Sequence, residues 1–198
     1  QAIEQIRSEM AGFVVDGLLV DLRERFRDCP QVLEHLNAVR QDILANIERF
    51  MPQEAPQVPF VVRPDQLEDG WLARYAINVL VERTHLDHAP VVFEDNPTYH
   101  NLIGRIEHRT EYGTMVTDFT QIRAGALHRA NGGYLAIEAK DVLANPLAYD
   151  GLKRSLRNGE IKIEEMAQFF GLVAAVSLQP EPIPLDVKVV MIGDSYYF

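Results

Sequence analysis

Gly125-Ala-Leu-His-Arg-Ala-Asn-Gly-Gly-Tyr-Leu-Ala-Ile-Glu-Ala139 is the stretch that decides the fold of this 198-residue chain. Its second half predicts a short apolar strand from Tyr134 to Ile137, which the chain enters through Gly132-Gly133. A carboxylate, Glu138, closes the strand. In open α/β sheets ligands bind beyond the carboxyl ends of the strands, so Glu138 lies where a ligand would bind.

Two interpretations of Glu138 remain open from these residues alone. A nucleotide-binding ATPase of the P-loop class holds its magnesium at a carboxylate in this place, directly or through water. A buried strand can equally end in a solvated glutamate with no function. The rest of the chain has to distinguish the two.

The overall composition excludes several classes of protein. With 47% hydrophobic and 24% charged residues, the chain resembles an ordinary globular protein. No apolar run reaches the roughly 18 residues of a membrane span, and no signal peptide opens the chain. The net charge of −10 disfavours a protein that binds nucleic acid by neutralising phosphates.

Cysteine and histidine usage predicts neither a disulfide nor a metal site. Cys29 is the one cysteine, which suits a reducing compartment and makes the cytoplasm the expected location. The closest histidine pair, His85 and His88, lies in a loop without further ligands at zinc-type spacing.

Residues 1–51 predict an antiparallel helical hairpin that serves as a structural or partner-docking arm. Apolar residues recur at spacings of three and four on both sides of Cys29-Pro30. The two stripes are Ile3, Ile6, Met10, Phe13, Leu18, Leu22 and Phe26, then Val32, Leu36, Val39, Ile43, Ile47 and Phe50. Since two helices bury little alone, we expect these stripes to pack on other helices of a larger domain or of a neighbouring subunit.

A proline-rich linker over residues 52–66 then separates the arm from an α/β domain over 67–198. Strands are predicted over 75–81, 89–94 and 187–193 in addition to the central one. Helices are predicted over 98–104 and from Asn145-Pro146 to Asn158, the latter with Leu147, Leu152 and Leu156 buried. Hairpins are predicted over 105–122, with arms 106–110 and 115–119, and from 161–164 with 172–178, although 167–176 could also form a helix.

Two surfaces of the α/β domain are candidates for binding. Tyr112, Gly113 and Met115 stand at the tip of the first hairpin and could grip an extended polypeptide, although a plain surface loop fits equally. Lys153, Arg154 and Arg157 make one helix face basic, which suits either an inter-subunit contact or a solvated surface.

Residues 75–194 resemble the Lon-related AAA+ proteases, closest to the Lon-like group with archaeal-type organisation. The matching segments are Ala89–Glu94, Asn96–Glu107, Thr117–Phe119, Gly125–Gly133, Leu152–Arg154, Pro180–Leu185 and Val187–Asp194. The resemblance implies a partial AAA+ three-layer α/β fold with a parallel sheet and β-hairpin insertions. It makes 134–139 the Walker B strand and 187–194 the sensor-1 strand, and it places strands 89–94, 134–138 and 187–193 side by side.

The same resemblance implies that segment 105–122 lines a central pore, with Tyr112, Gly113 and Met115 contacting substrate, and that the parent protein forms a ring, hexameric in this family. The nucleotide site departs from the family pattern. The usual Asp-Glu pair is Glu138-Ala139, the usual sensor-1 Asn is Asp194, and no Gly-x-x-x-x-Gly-Lys-Ser/Thr loop is present in the 198 residues. None of the serines has the context of the family's Ser-Lys dyad, so we expect no proteolytic residues in this chain.

Three functional hypotheses follow from the resemblance and its departures. The first is a piece of a Lon-type ATP-dependent serine protease, which contributes ring assembly and substrate handling while ATP and magnesium bind elsewhere in the parent. The second is a degenerate, non-hydrolysing AAA+ module that acts as an assembly or substrate-gating scaffold. The third is a relative of the magnesium-chelatase and helicase ATPases, which the negative charge disfavours for a helicase.

Overall fold

The computed structural model describes residues 2–50, 71–84, 87–111, 114–164 and 178–194. The chain divides into two compact units, Gln1–Tyr75 and Ala76–Phe198. The predicted linker 52–66 lies outside the described residues. No helix among the described residues combines the length and apolar character needed to cross a membrane.

The first unit contains the predicted helical hairpin. The helices described for this arm are α1 (Ala2–Arg25), α2 (Pro30–Ala45) and the short α3 (Ile47–Phe50). Among the α1 side chains that the structure describes, the buried large apolar ones are Val15 and Leu19. Arg40 of α2 ties the pair together, donating to both carboxylate oxygens of Asp16 at 2.6 and 2.7 Å. This contact lowers the pKa of Asp16 to about 2.

The predicted apolar stripe of α1 is largely uncovered, and residues outside it meet α2. Met10, Phe13 and Leu18 are exposed, whereas Val15 and Leu19 are buried. Apolar residues occur on more than one side of α1, so spacing alone does not identify the side that meets α2.

The strand predicted over 75–81 is also wrong. Residues Ala73–Tyr75 form a 3-10 turn, and 76–79 have no regular structure. The Asn78 side chain instead donates to the carbonyl oxygens of Phe119 and Ile122, at 2.9 and 3.0 Å. β-branched content favours a strand only where a neighbouring strand is available, and none of the described strands pairs with this segment.

The second unit is built on a parallel three-stranded sheet. Its strands are β1 (Val91–Glu94), β6 (Gly133–Glu138) and β9 (Val187–Ile192), in the order β1-β6-β9. The predicted adjacency of these three segments is therefore confirmed. Leu135 and Ile137 of β6 are fully buried at the centre of the core.

In the described part of the second unit, four helices pack around this core. They are α4 (Tyr99–Ile103), α5 (Ala126–Ala130), α6 (Ala139–Leu143) and α7 (Pro146–Asn158). The helices predicted over 98–104 and 145–158 are confirmed: Thr98 caps α4, and Gly159 ends α7 in the left-handed conformation. The buried residues of α7 are Ala148, Gly151, Leu152 and Ser155, while the predicted Leu156 is exposed. Small residues occupy this face because the Tyr99 ring lies where a Gly151 side chain would be.

The hairpins are short and antiparallel. β2 (Gly104–Ile106) pairs with β5 (Ile122–Ala124), and between them β3 (Arg109–Glu111) pairs with β4 (Thr114–Val116). The predicted hairpin over 105–122 is therefore present, as two successive ladders rather than two continuous arms. β7 (Glu160–Ile161) pairs with β8 (Ile183–Pro184). The second predicted hairpin strand, 172–178, lies outside the described residues except for residue 178.

Candidate functional site

Three carboxylate residues lie at the carboxyl edge of the parallel sheet. β1 ends at Glu94 and β6 at Glu138, and Asp194 follows β9. The register pairs Glu94 with Ile137 and Glu138 with Ile192, so the three positions stand at one edge. Sequence reasoning identified Glu138 and Asp194 and missed Glu94. A signal existed, since the turn residues Asp95-Asn96-Pro97 mark Glu94 as a strand end.

Glu94 is committed to the structure of the domain. Its side chain is only 8% exposed. It accepts a hydrogen bond from the Asn96 backbone amide at 3.2 Å and forms an ion pair with Arg129 at 2.9 Å. Both carboxylate oxygens are thus engaged, which leaves Glu94 poorly placed to bind a ligand.

Glu138 is half-exposed and paired with a cation of its own chain. Lys140 lies 2.9 Å from its carboxylate. The next residue, Ala139, is fully buried as the first residue of α6. The residue that follows the strand therefore provides no carboxylate and is not accessible from the sheet edge.

Asp194 lies two residues beyond Ile192, the strand partner of Glu138, and is exposed. The predicted nucleotide-site residues Glu138, Ala139 and Asp194 are thus at one sheet edge. Among the described residues, no group of three or more His, Cys, Asp or Glu side chains has a geometry that could hold a metal ion.

Within the described part of the chain, both edges of the sheet and one of its faces are open, because β1 and β9 each pair only with β6. β9 has a described neighbour, β6, on one side only. Parallel sheets are normally covered on both faces. Here, however, several apolar residues of one face are exposed, namely Val91, Phe93, Tyr134, Val190 and Ile192.

The β3–β4 hairpin presents an exposed methionine on a braced base. Met115, opposite Thr110 in the ladder, is 69% exposed. At the base, Glu107 accepts from Arg105 and Arg123, both at 2.7 Å, and these hydrogen bonds lower the pKa of Glu107. The tip residues Tyr112 and Gly113 lie outside the described residues.

Two of the three predicted basic residues of α7 are engaged within the chain. Lys153 pairs with Asp150 at 2.9 Å and lies 4.5 Å from the centre of the Tyr149 ring. Arg154 pairs with Glu164 at 3.1 Å. Arg157, in the last turn, is exposed, as are the other two.

His128 is a buried histidine that the prediction from sequence did not single out. Its Nδ1 accepts a hydrogen bond from the Gly125 amide at 3.2 Å, which places the proton on Nε2. Nε2 is buried and has no hydrogen-bond partner among the described residues. Burial, aided by the nearby charge of Arg129, lowers the pKa of His128 to about 4.

The lowered pKa of His128 predicts a loss of stability in mild acid. The unfolded chain takes up a proton near pH 6.5 and the folded chain only near pH 4, so stability present above pH 6.5 is lost as the pH falls between them. We expect the free energy of unfolding to fall by up to about 3 kcal/mol over this range. Urea unfolding at pH 7 and pH 5 measures it. His128→Gln, which keeps an acceptor for the Gly125 amide, should flatten this dependence, and His88→Gln in an exposed loop should not; equal slopes in all three proteins would contradict the assignment.

The arm carries an apolar groove between α1 and the α2–α3 segment. Its volume is about 590 Å³. The lining residues are all apolar: Met10, Ala11, Val14, Val15, Leu18, Leu19, Ile43, Ile47 and Phe50. An open apolar groove of this kind is a feature of binding surfaces.

Replacing Ile43 and Ile47 with Asp is expected to change association or solubility more than the folding of residues 70–198, because both side chains line the groove. Light scattering after size-exclusion chromatography measures the first property and circular dichroism the second. Gln41→Asp with Ala45→Asp, at exposed positions of the same helix, is the matched control. Cooperative unfolding of the entire chain by the groove variant alone would place the arm in the main core.

Comparison with known proteins gives one family. A family model described as a LonB-like AAA domain matches residues 87–198, which is more than half of the chain. The match covers the whole parallel sheet and both hairpins. No curated protein sequence matched the chain.

Proposed function

The chain belongs to the LonB-like AAA domain family, and from that premise we propose that it is the assembly and substrate-handling module of a Lon-type ATP-dependent serine protease, with no ATP hydrolysis of its own. In this proposal the parent protein assembles into a homo-oligomeric ring, hexameric by the resemblance. Protein substrates pass over the hairpin 105–122, and proteolysis takes place on residues outside this chain.

The end of β6 is the observation that carries the proposal. ATP hydrolysis needs a group that orients or deprotonates the attacking water. The residue that would supply it is Ala139, which is buried and has no titratable group. Glu138, the remaining carboxylate, is already paired with Lys140 at 2.9 Å. An acid at position 139 would itself have to be buried, so a single substitution does not restore the missing group.

Substrate handling is supported by the shape of the β3–β4 hairpin. Arginine contacts to Glu107 brace its base, while Met115 stands exposed near the tip. A methionine adapts to varied side chains because its thioether is flexible and polarizable. A stiff base with an adaptable tip suits contact with unrelated polypeptides.

The open edge of β9 favours a second candidate, which is nucleotide binding without hydrolysis. A further parallel strand could pair with β9, and the loop after it would then reach the edge that holds Glu138 and Asp194. The two candidates differ in whether ATP binds once that strand is present.

Titration calorimetry with ATP and magnesium tests the proposal. We expect no tight binding to this chain, because it has no phosphate-binding loop and Glu138 is neutralised by Lys140. A dissociation constant in the low micromolar range, about −8 kcal/mol, would contradict the expected lack of binding and favour the second candidate. Glu138→Gln is the matched control: binding that this variant abolishes would locate the nucleotide-binding site at the sheet edge.

A further inference from the structure

One apolar face of α1 is uncovered and centred on Val14. The Val14 side chain is 60% exposed, and Met10 and Leu18, one turn on either side, are exposed still further. Across the groove stand Ile43 and Ile47 of the α2–α3 segment. We call the α1 residues Met10, Ala11, Val14, Gly17 and Leu18 the Val14 face.

The sequence of α1 is symmetric in character about Val14. The residues three positions before and after Val14 are small, and those four positions before and after it are large and apolar. The residues seven positions before and after it carry opposite charges. The pairs are Ala11 and Gly17, Met10 and Leu18, and Arg7 and Asp21. At 3.6 residues per turn, Arg7 and Asp21 lie within about 20° of the Val14 direction, so the charged pair belongs to the same side of the helix.

This symmetry fits an antiparallel contact with a second copy of the same helix. A two-fold axis beside Val14 places each residue before Val14 in one copy opposite the residue equally far after Val14 in the other copy. Val14 then meets Val14 of the second copy, Met10 packs beside Leu18, and each Arg7 position lies near an Asp21 position. Opposite charges at these two sequence positions favour the antiparallel register over a parallel one.

Gly17 is an independent indication of a close approach. A side chain at this position would meet no atom within 4 Å, so nothing in the described residues requires a glycine there. Glycine within a helix is otherwise unfavourable. In the antiparallel pairing Gly17 comes beside Ala11 of the second copy, and these small residues let the two backbones approach on both sides of Val14.

We propose that the Val14 face binds the same face of a second copy of this chain, antiparallel and about a two-fold axis. Ridges of residues four apart, such as Met10, Val14 and Leu18, interlock when two helices cross at about −50°. The second copy's helix also covers Ile43 and Ile47 in the groove. The contact uses neither the sheet edge nor the β3–β4 hairpin, so it is independent of the proposed function.

Cross-linking of the full 198-residue chain tests the contact directly. In a Cys29→Ser background, Val14→Cys is treated with a short bismaleimide, and Val20→Cys is treated in parallel. Val20 is 56% exposed on the same helix, which matches Val14 closely, but it points about 120° away. A cross-linked dimer from Val14→Cys and little from Val20→Cys is expected. Equal yields, or none from Val14→Cys, would overturn the proposal.

A charge exchange tests the register. Val14→Glu places two like charges at the axis and should weaken self-association about 100-fold or more in analytical ultracentrifugation, while Val20→Glu leaves it unchanged. Arg7→Asp and Asp21→Arg should each weaken association, and the double variant should restore it. Failure of the double variant to recover would reject the antiparallel register, and wild-type protein that is monomeric throughout would reject the contact.

Discussion

Replacing Gly125 with alanine is expected to lower the free energy of unfolding by about 3 kcal/mol or more. A methyl group at this position would overlap the carbonyl oxygen of Leu102 and the amide nitrogen of Gly104, and would lie 2.6 Å from the Leu102 carbonyl carbon. These are backbone atoms, which cannot rotate away as a side chain could. The variant therefore has to separate α4 and β2 from the start of α5, and urea unfolding followed by circular dichroism measures the cost.

Gly12→Ala is the matched control for this prediction. It is the same substitution at a helix position where the new methyl group meets only the Arg40 side chain, at an ordinary contact distance of 3.6 Å. The expected change is a gain of no more than about 1 kcal/mol, since alanine is the better helix former. Similar losses of stability in both variants would show that the close packing at Gly125 is not the cause.

The sequence predicted the centre of the α/β unit well, because the information there is local. The strands over 133–138 and 187–192 are mostly apolar runs bounded by glycine or a carboxylate. Such runs are typical of parallel strands. Their adjacency came from the family resemblance and not from the pattern, since spacing along a chain does not say which strands pair.

Predictions failed where distant residues decide the local structure. The segment 75–81 has the composition of a strand, but Asn78 is held by carbonyl groups more than 40 residues away in sequence. On α7, an apolar stripe predicted that Leu156 is buried, but the face that meets Tyr99 needs small residues. On α1, apolar residues on several sides left the inward face undetermined.

The candidate site could be located from the sequence, but the burial and pairing of its side chains could not be predicted. The missing acid at position 139 is visible in the order of residues, whereas the burial of Ala139 is visible only in the fold. The ion pair between Glu138 and Lys140 is similarly a matter of side-chain placement, although the two residues are close in sequence. Glu94 was missed because an isolated glutamate at a strand end does not reveal its partner Arg129, 35 residues away.

Under the proposed protease function, replacing Tyr112 and Met115 with alanine in the full-length protein is expected to slow degradation of a folded protein roughly tenfold, which corresponds to about 1.4 kcal/mol of lost interaction with the substrate. Met115 is exposed in the β3–β4 hairpin. A tyrosine, such as the one three residues earlier in the sequence, offers a large, stiff contact area at low entropic cost. The rate of substrate loss on a gel, measured with saturating ATP, gives the result.

Comparing two substrates separates a gripping role from a structural one. A short peptide reaches the proteolytic residues by diffusion, so its cleavage should stay nearly normal in the double variant, whereas a folded protein has to be pulled. Thr110→Ala is the matched control, because Thr110 pairs with Met115 across the ladder and its loss perturbs the same hairpin without removing the tip side chains. Equal loss on both substrates would indicate that the tip maintains the fold of the module. No loss on either substrate would show that the hairpin does not grip the polypeptide, because a lost grip should slow degradation of the folded substrate.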